Sequence, residues 1–187
     1  MTSNFDQRLS DEQLLKLLAR ARAGKCGERD WLIYLLTVNH GLRISEVLAL
    51  TTKDFDVADC TVTLKRGKKG KKTVQPLRRD DDPLLDECSA VRAYLDRRPS
   101  GLLFDIKRSM AGRLFAKYAR EVGIPQRMRH VHVLRHTAAH TMLDAGVNLA
   151  HIQQWLGHQR ISSTGIYVKQ SDASAAQEVV SKVWAKK

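Results

Sequence analysis

Apolar residues recur at helical spacing along most of the chain. Leu14, Leu15, Leu17 and Leu18 line one face of a helix over 10–22, opened by a capping box of Ser10 and Gln13. Gly24 and Gly27 break it. A more apolar helix over 31–39 follows and stops at Gly41, and Arg43 heads another over 44–50. The period then changes to two. Segments 59–64 and 73–77 alternate like strands, joined by the glycine-bearing turn Lys65-Arg66-Gly67-Lys68-Lys69-Gly70-Lys71-Lys72. Asp82-Pro83 opens a helix reaching about 97, with proline in its first turn. A turn at 99–101 and a short extended piece at 102–104 follow, and Ser109 caps a helix to Val122. Helices over 133–145 and 149–156 come next, the first ended by Gly146, the second capped by Asn148 and closed by Gly157. Leu149, Ile152 and Leu156 are the core stripe of the second, which leaves His151 on the surface. Ser171 caps a last helix with a stripe of Ala176, Val179, Val180, Val183 and Trp184. The pattern predicts a mainly α fold with a small antiparallel β-sheet or hairpin.

A chain of 187 residues fits one domain with a real core. Charge narrows its partners. Lys plus Arg number 32 against 20 for Asp plus Glu, a net charge of +12, which favours a polyanion. Solubility and ribosomal-type RNA packaging are the blander readings of the same excess. Cys26, Cys60 and Cys88 are odd in number and far apart in sequence, which predicts reduced thiols in a cytoplasmic protein. No apolar run is long enough to span a bilayer, and the first residues lack the basic and apolar regions of a signal peptide.

The chemistry concentrates between His132 and Tyr167. This stretch carries His132 and Arg135 as His-x-x-Arg, Leu156-Gly157-His158 and a late Tyr167. A guanidinium forks onto two phosphate oxygens. Imidazole moves protons near neutral pH, and a phenol assisted by cations and a base becomes a nucleophile. Six of the seven histidines lie between 130 and 158. His132, His136 and His140 stand four apart, but no cysteine, HExxH or nearby acid completes a zinc set, so no metal is expected. Gly70-Lys71 is not a P-loop, because Lys72 follows and Lys65 occupies the place of the leading glycine.

Spacing adds to residue type. Arg135 to His158 is 23 positions and His158 to Tyr167 is 9; Arg43 stands upstream in GLRISEVLAL. With Gly146 and Ile152-Gln153, these motifs resemble the tyrosine recombinase (phage integrase) family in the right order, over about 9–167. One departure is visible: His140 and Thr141 stand where the family usually shows Thr then His.

The resemblance implies the tyrosine recombinase catalytic-domain fold and a set of roles. Arg43, Lys68, His132, Arg135, His158 and Tyr167 would be catalytic, with Lys68 as general acid and Lys71 as the second choice. Glu46 and His136 would support them, Glu46 being either a brace for Arg43 or an ordinary surface acid. His136 and His140 are expected to be buried and hydrogen-bonded. Lys65, Arg66, Lys69, Lys71 and Lys72 of the hairpin, with Arg127 and Arg129, would touch the DNA backbone. Arg113, Lys117 and Arg120 lean toward water.

The implied reaction is site-specific cleavage and rejoining of DNA through a 3′-phosphotyrosyl intermediate, without metal, ATP or other cofactor. The implied partner is double-stranded DNA with paired recombination sites. The protein would be a homotetramer on DNA and a monomer or weak oligomer when free, with no membrane. Its place would be the cytoplasm and nucleoid of a bacterium or archaeon, or of a phage-infected cell. The expected organisation is a single catalytic domain over 1–187 lacking an N-terminal core-binding domain. That would be either a compact recombinase resembling the fimbrial-switch invertases or an excised catalytic domain. The C-terminal helix over 171–185 would pack on its own domain or exchange between protomers. Two alternatives stand beside this: a type IB topoisomerase, and a non-catalytic regulator using the helix–Gly146-Val147-Asn148–helix shape.

Overall fold

The computed structural model describes residues 8–66, 71–97, 100–157 and 172–185. Among these, helices dominate and one small antiparallel sheet lies against them.

Helix α1 (Asp11–Arg22) starts as its capping box dictates: Ser10 Oγ accepts the Gln13 amide at 3.2 Å and Gln13 Oε1 accepts the Ser10 amide at 3.0 Å. Helix α2 (Gly27–His40) begins four residues earlier than its apolar run. Gly27, expected to break a helix, opens this one. A β-carbon there would lie 1.8 Å from the Arg22 carbonyl oxygen, so only glycine fits the reversal between α1 and α2. The apolar run of α2 is buried on all sides, packed against α1, α6 and α4 (Glu87–Leu95). It stops at Gly41 in the left-handed conformation (φ 59°), and the short helix α3 (Ile44–Val47) follows.

Strands β1 (Phe55–Asp56), β2 (Thr61–Arg66) and β3 (Lys71–Pro76) form the sheet in that order, all antiparallel. At two residues, β1 is too short to show an alternation. Across β2 and β3, Val62 pairs with Gln75, Leu64 with Thr73 and Arg66 with Lys71.

Two helix starts shift. Asp82-Pro83 lies in a turn, where Asp82 Oδ1 accepts the Leu84 amide; α4 begins at Glu87 under the side-chain cap of Asp86. Helix α5 (Arg108–Glu121) includes Ser109, with Lys107 before it. The expected extended piece is a single bridge, Thr51 to Leu102. Cys60 and Cys88, 28 residues apart, are joined in a disulfide with Cα atoms 5.7 Å apart. This corrects the expectation of three reduced thiols. The fold brings the start of β2 beside α4, which sequence distance does not reveal. Cys26 is free and exposed.

Helices α6 (His132–Asp144) and α7 (Leu149–Leu156) are joined through Gly146 (φ 72°), and Asn148 caps α7 through the Ala150 amide. Helix α8 (Asp172–Val179) runs on into a π-helical turn, Val180–Trp184. Ile152, Trp155 and Leu156 of α7 meet Val179, Val183 and Trp184 in a second core cluster. Leu149 is 59% exposed and leaves the expected stripe to Trp155. His151 is buried instead of facing water, because Glu178 of α8 reaches its Nδ1. Among the described residues, no helix is long and apolar enough to cross a membrane.

Candidate functional site

The site forms where the C-terminal ends of α2 and α7 meet the start of α3 and the first turns of α6. Arg135 lies on the fourth residue of α6 and is 5% exposed. Its Nη1 donates to the Gly41 carbonyl at 2.5 Å and its Nη2 to the Leu156 carbonyl at 2.8 Å. Both acceptors sit at helix C-termini, where the free carbonyls and the macrodipole favour a cation.

Glu46 binds the arginines together. Its Oε2 accepts the Arg43 amide at 2.8 Å, and its Oε1 accepts Arg43 Nη1 at 2.8 Å. The same Oε2 lies 3.4 Å from Arg66 Nη1 and 3.9 Å from Arg135 Nη1. The Glu46 side chain is 11% exposed and that of Arg43 is 43% exposed. Arg43 therefore keeps an open side for a ligand, while Glu46 is an interior counter-charge and not a surface acid.

The electrostatics follow. Burial pushes the Glu46 carboxyl up, but the Arg43 amide and the charges of Arg66 and Arg43 prevail and hold it below its usual range. Burial and the charge of Arg43 press Arg135 down to about 10, opposed by Glu46; it remains a cation at neutral pH. His132 is exposed, yet partial desolvation first, and then His136 and Arg135, lower it. Its ring stands edge-on to His136 with centroids 4.7 Å apart. A neutral imidazole at pH 7 has a lone pair free to accept a proton.

The other expected residues divide. Lys68, Lys69, His158 and Tyr167 lie outside the described residues. Lys65 and Lys72 are exposed and paired across the outer face of the hairpin, open to a polyanion. Lys71 lies on β3 opposite Arg66. Arg127 is exposed; Arg129 is half-buried, its Nε donating to the Ile124 carbonyl at 2.7 Å. Arg113, Lys117 and Arg120 face solvent. His136 and His140 are half-buried, short of the burial expected.

Arg66 requires a correction. It is 1% exposed, so the expected phosphate contact is closed to it. Its Nη2 donates to the carbonyls of His40 at 2.7 Å and Trp155 at 2.8 Å. A second polar chain, which motif and spacing do not predict, runs beside it. Glu87 Oε2 is 3.0 Å from His40 Nε2, His40 Nδ1 is 2.8 Å from Gln75 Oε1, and Gln75 Nε2 donates to the Trp155 carbonyl at 3.0 Å. The signal lies in strand parity: Arg66 shares the inward face with Val62 and Leu64, and Gln75 with Thr73. Among the described residues, no group of three or more His, Cys, Asp or Glu is arranged to hold a metal ion.

An open arginine, a buried one and a low-pKa histidine together suit a protein that handles a phosphate ester. Comparison with known proteins sharpens that class. The phage integrase family model matches residues 7–174, and the chain belongs to that family. It is 30% identical over 179 residues to the type 1 fimbriae regulatory protein FimE of Escherichia coli K12, a match covering 90% of this chain and 88% of FimE. It is 34% identical over 172 residues to the tyrosine recombinase XerA of Pyrococcus furiosus, covering 86% of this chain and 56% of that one. Among solved structures, a crystal structure of XerA recombinase superposes with a TM-score of 0.68 at 27% identity, over 93% of this chain and 64% of that one. XerH bound to its difH substrate has the same fold, with a TM-score of 0.69 at 21% identity over 95% of this chain and 52% of that one. The protein is an enzyme of the tyrosine recombinase type, with the fold of its catalytic domain.

Proposed function

We propose that this protein cuts and rejoins double-stranded DNA at paired sites, with Tyr167 as nucleophile and no metal or nucleotide cofactor. The observation that carries this reading is the gathering of Arg43 and Arg135 around Glu46, with His132 one helical turn before Arg135. Two guanidiniums so held present fixed positive charge to the non-bridging oxygens of a phosphodiester.

The reaction balances without an external energy source. The Tyr167 phenolic oxygen attacks phosphorus as its proton passes to a base, a role assigned to His132. A bond to the 3′-phosphate forms and the bond to the 5′-oxygen breaks, with Lys68 supplying the proton that leaves as a 5′-hydroxyl. Arg43, Arg135 and His158 hold the charge that develops meanwhile. A 5′-hydroxyl from a second strand reverses the step and reseals the DNA. Exchange of two duplexes takes four such events, so the working unit is a homotetramer on DNA. Lys65, Lys72 and Arg127 supply exposed charge for the backbone.

A nicked suicide substrate tests this. The wild type should accumulate a covalent protein–DNA adduct, and Tyr167→Phe should bind the same DNA with unchanged affinity and form none. An adduct persisting in Tyr167→Phe removes that residue from its role. Relaxation of plasmid without site preference would favour the topoisomerase alternative.

A further inference from the structure

Arg66 and Arg135 repeat one arrangement on adjacent residues. Arg135 donates to the carbonyls of Gly41 and Leu156. Arg66 donates to the carbonyls immediately before them, His40 and Trp155. Both guanidiniums approach the same oxygen of Glu46. The end of α2 and the end of α7 are therefore stapled twice, once by each arginine.

The stem of Arg66 adds a steric element. An ideal β-carbon on Gly157 (φ 68°) would come within 2.7 Å of Arg66 Cβ and Cγ. The chain leaving α7 thus turns directly against this buried side chain. Interior guanidiniums are costly to desolvate, and Arg66 is lowered to about 10, by burial first, with Glu46 opposing the shift and Arg135 adding to it. An apolar residue would fill the space at less expense, which makes a purely space-filling role a poor explanation.

We infer that Arg66 is a positioning residue for strand transfer: it locks the ends of α2 and α7 so that Arg135 meets the phosphate at a fixed angle. This rests on the proposed chemistry of Arg135. Arg66 itself touches no DNA. Displacement of a catalytic group by about 1 Å typically costs on the order of 10²-fold in rate, so loss of the staple is read in the chemical step and not in affinity.

The test compares Arg66→Met and Arg66→Lys with the wild type, all well below their melting temperatures. Single-turnover adduct formation on the nicked substrate at saturating protein is measured beside DNA affinity as a function of salt. Amide hydrogen exchange at Leu156 and Gly157 is followed in the same samples. Arg66→Met should form adduct about 10²-fold more slowly, with affinity and salt slope unchanged, and exchange faster at those two amides. Arg66→Lys, which keeps a cation able to reach one carbonyl, should recover at least about tenfold of that loss. Wild-type rates in Arg66→Met overturn the inference. So does a weaker affinity with a shallower salt slope, the mark of a lost phosphate contact. If the wild type forms no adduct, the proposed reaction fails separately; unchanged exchange in Arg66→Met would then overturn the staple, and faster exchange would sustain it.

Discussion

Glu46 and Arg43 close a ring on one another: the carboxylate takes both the backbone amide and the guanidinium of the arginine, each at 2.8 Å. The pair fixes the entry of α3 and leaves one Glu46 oxygen facing the two interior arginines. Removing that charge uncovers Arg66 and Arg135 at once. Glu46→Gln should lower stability at pH 7 by about 3 kcal/mol, the usual scale for a buried cation losing its partner. The sign in pH follows from the depressed carboxyl. Its stabilisation is complete above the ordinary carboxylate range and disappears as pH falls through the lowered folded value. Denaturant unfolding of both proteins should therefore show a gap at pH 7 that narrows in acid. A gap independent of pH would assign the loss to shape, not charge.

In the proposed mechanism His132 sets the acid limb of the rate. Partial desolvation and its cationic neighbours hold it below 6.5, so the rate of adduct formation should fall only below that pH. His136→Gln removes one of the groups that lower it and should move the limb toward higher pH. His132→Gln should erase the limb and slow cleavage by about 10²-fold. A pH profile unaffected by either change would place the base elsewhere.

The hairpin lysines are separated by chemistry, not by position. Lys68→Ala should slow cleavage of ordinary DNA and regain speed on a 5′-phosphorothiolate, whose leaving group needs no acid. Absence of rescue in that variant, with rescue in Lys71→Ala, would transfer the role to Lys71.

The Cys60–Cys88 bond closes a loop of 28 residues. On chain entropy alone it stabilises by roughly 3–4 kcal/mol. Guanidinium unfolding with and without reductant should show a loss of that order, and Cys88→Ser should reproduce it. Cys26→Ser should change little, because Cys26 is exposed. Equal stability with and without reductant would deny the bond its structural weight.

Much of this molecule is legible in the sequence because local rules set it. The Ser10–Gln13 box, the Gly41 and Gly157 stops and the Asn148 cap each depend on a few neighbouring residues. Motif and spacing single out Arg43, Arg135 and His132, and the first two converge on Glu46. What was not legible depends on residues distant in the chain. His151 is buried and bonded to Glu178, 27 residues on, where α8 packs against α7. Cys60, just before β2, meets Cys88 of α4 across 28 residues of chain. Arg66 looked like one more member of a basic turn because charge suggested solvent, whereas strand parity pointed inward. Gly27 reads as a breaker until the reversal at Arg22 shows why a side chain has no room.

The inner face of the hairpin carries a further consequence. Toward its tip the buried positions are Arg66, Thr73 and Gln75, while Val74 is 54% exposed on the outside. Lysine-rich ends offer many nearly equivalent ways for two strands to zip together. A slip by one residue would present an ammonium to carbonyls matched to a planar fork and strand an amide in the interior. Val62 and Leu64 hold the register by hydrophobicity in the inner half of this pairing; near the tip, the hydrogen bonds of Arg66 and Gln75 add to it.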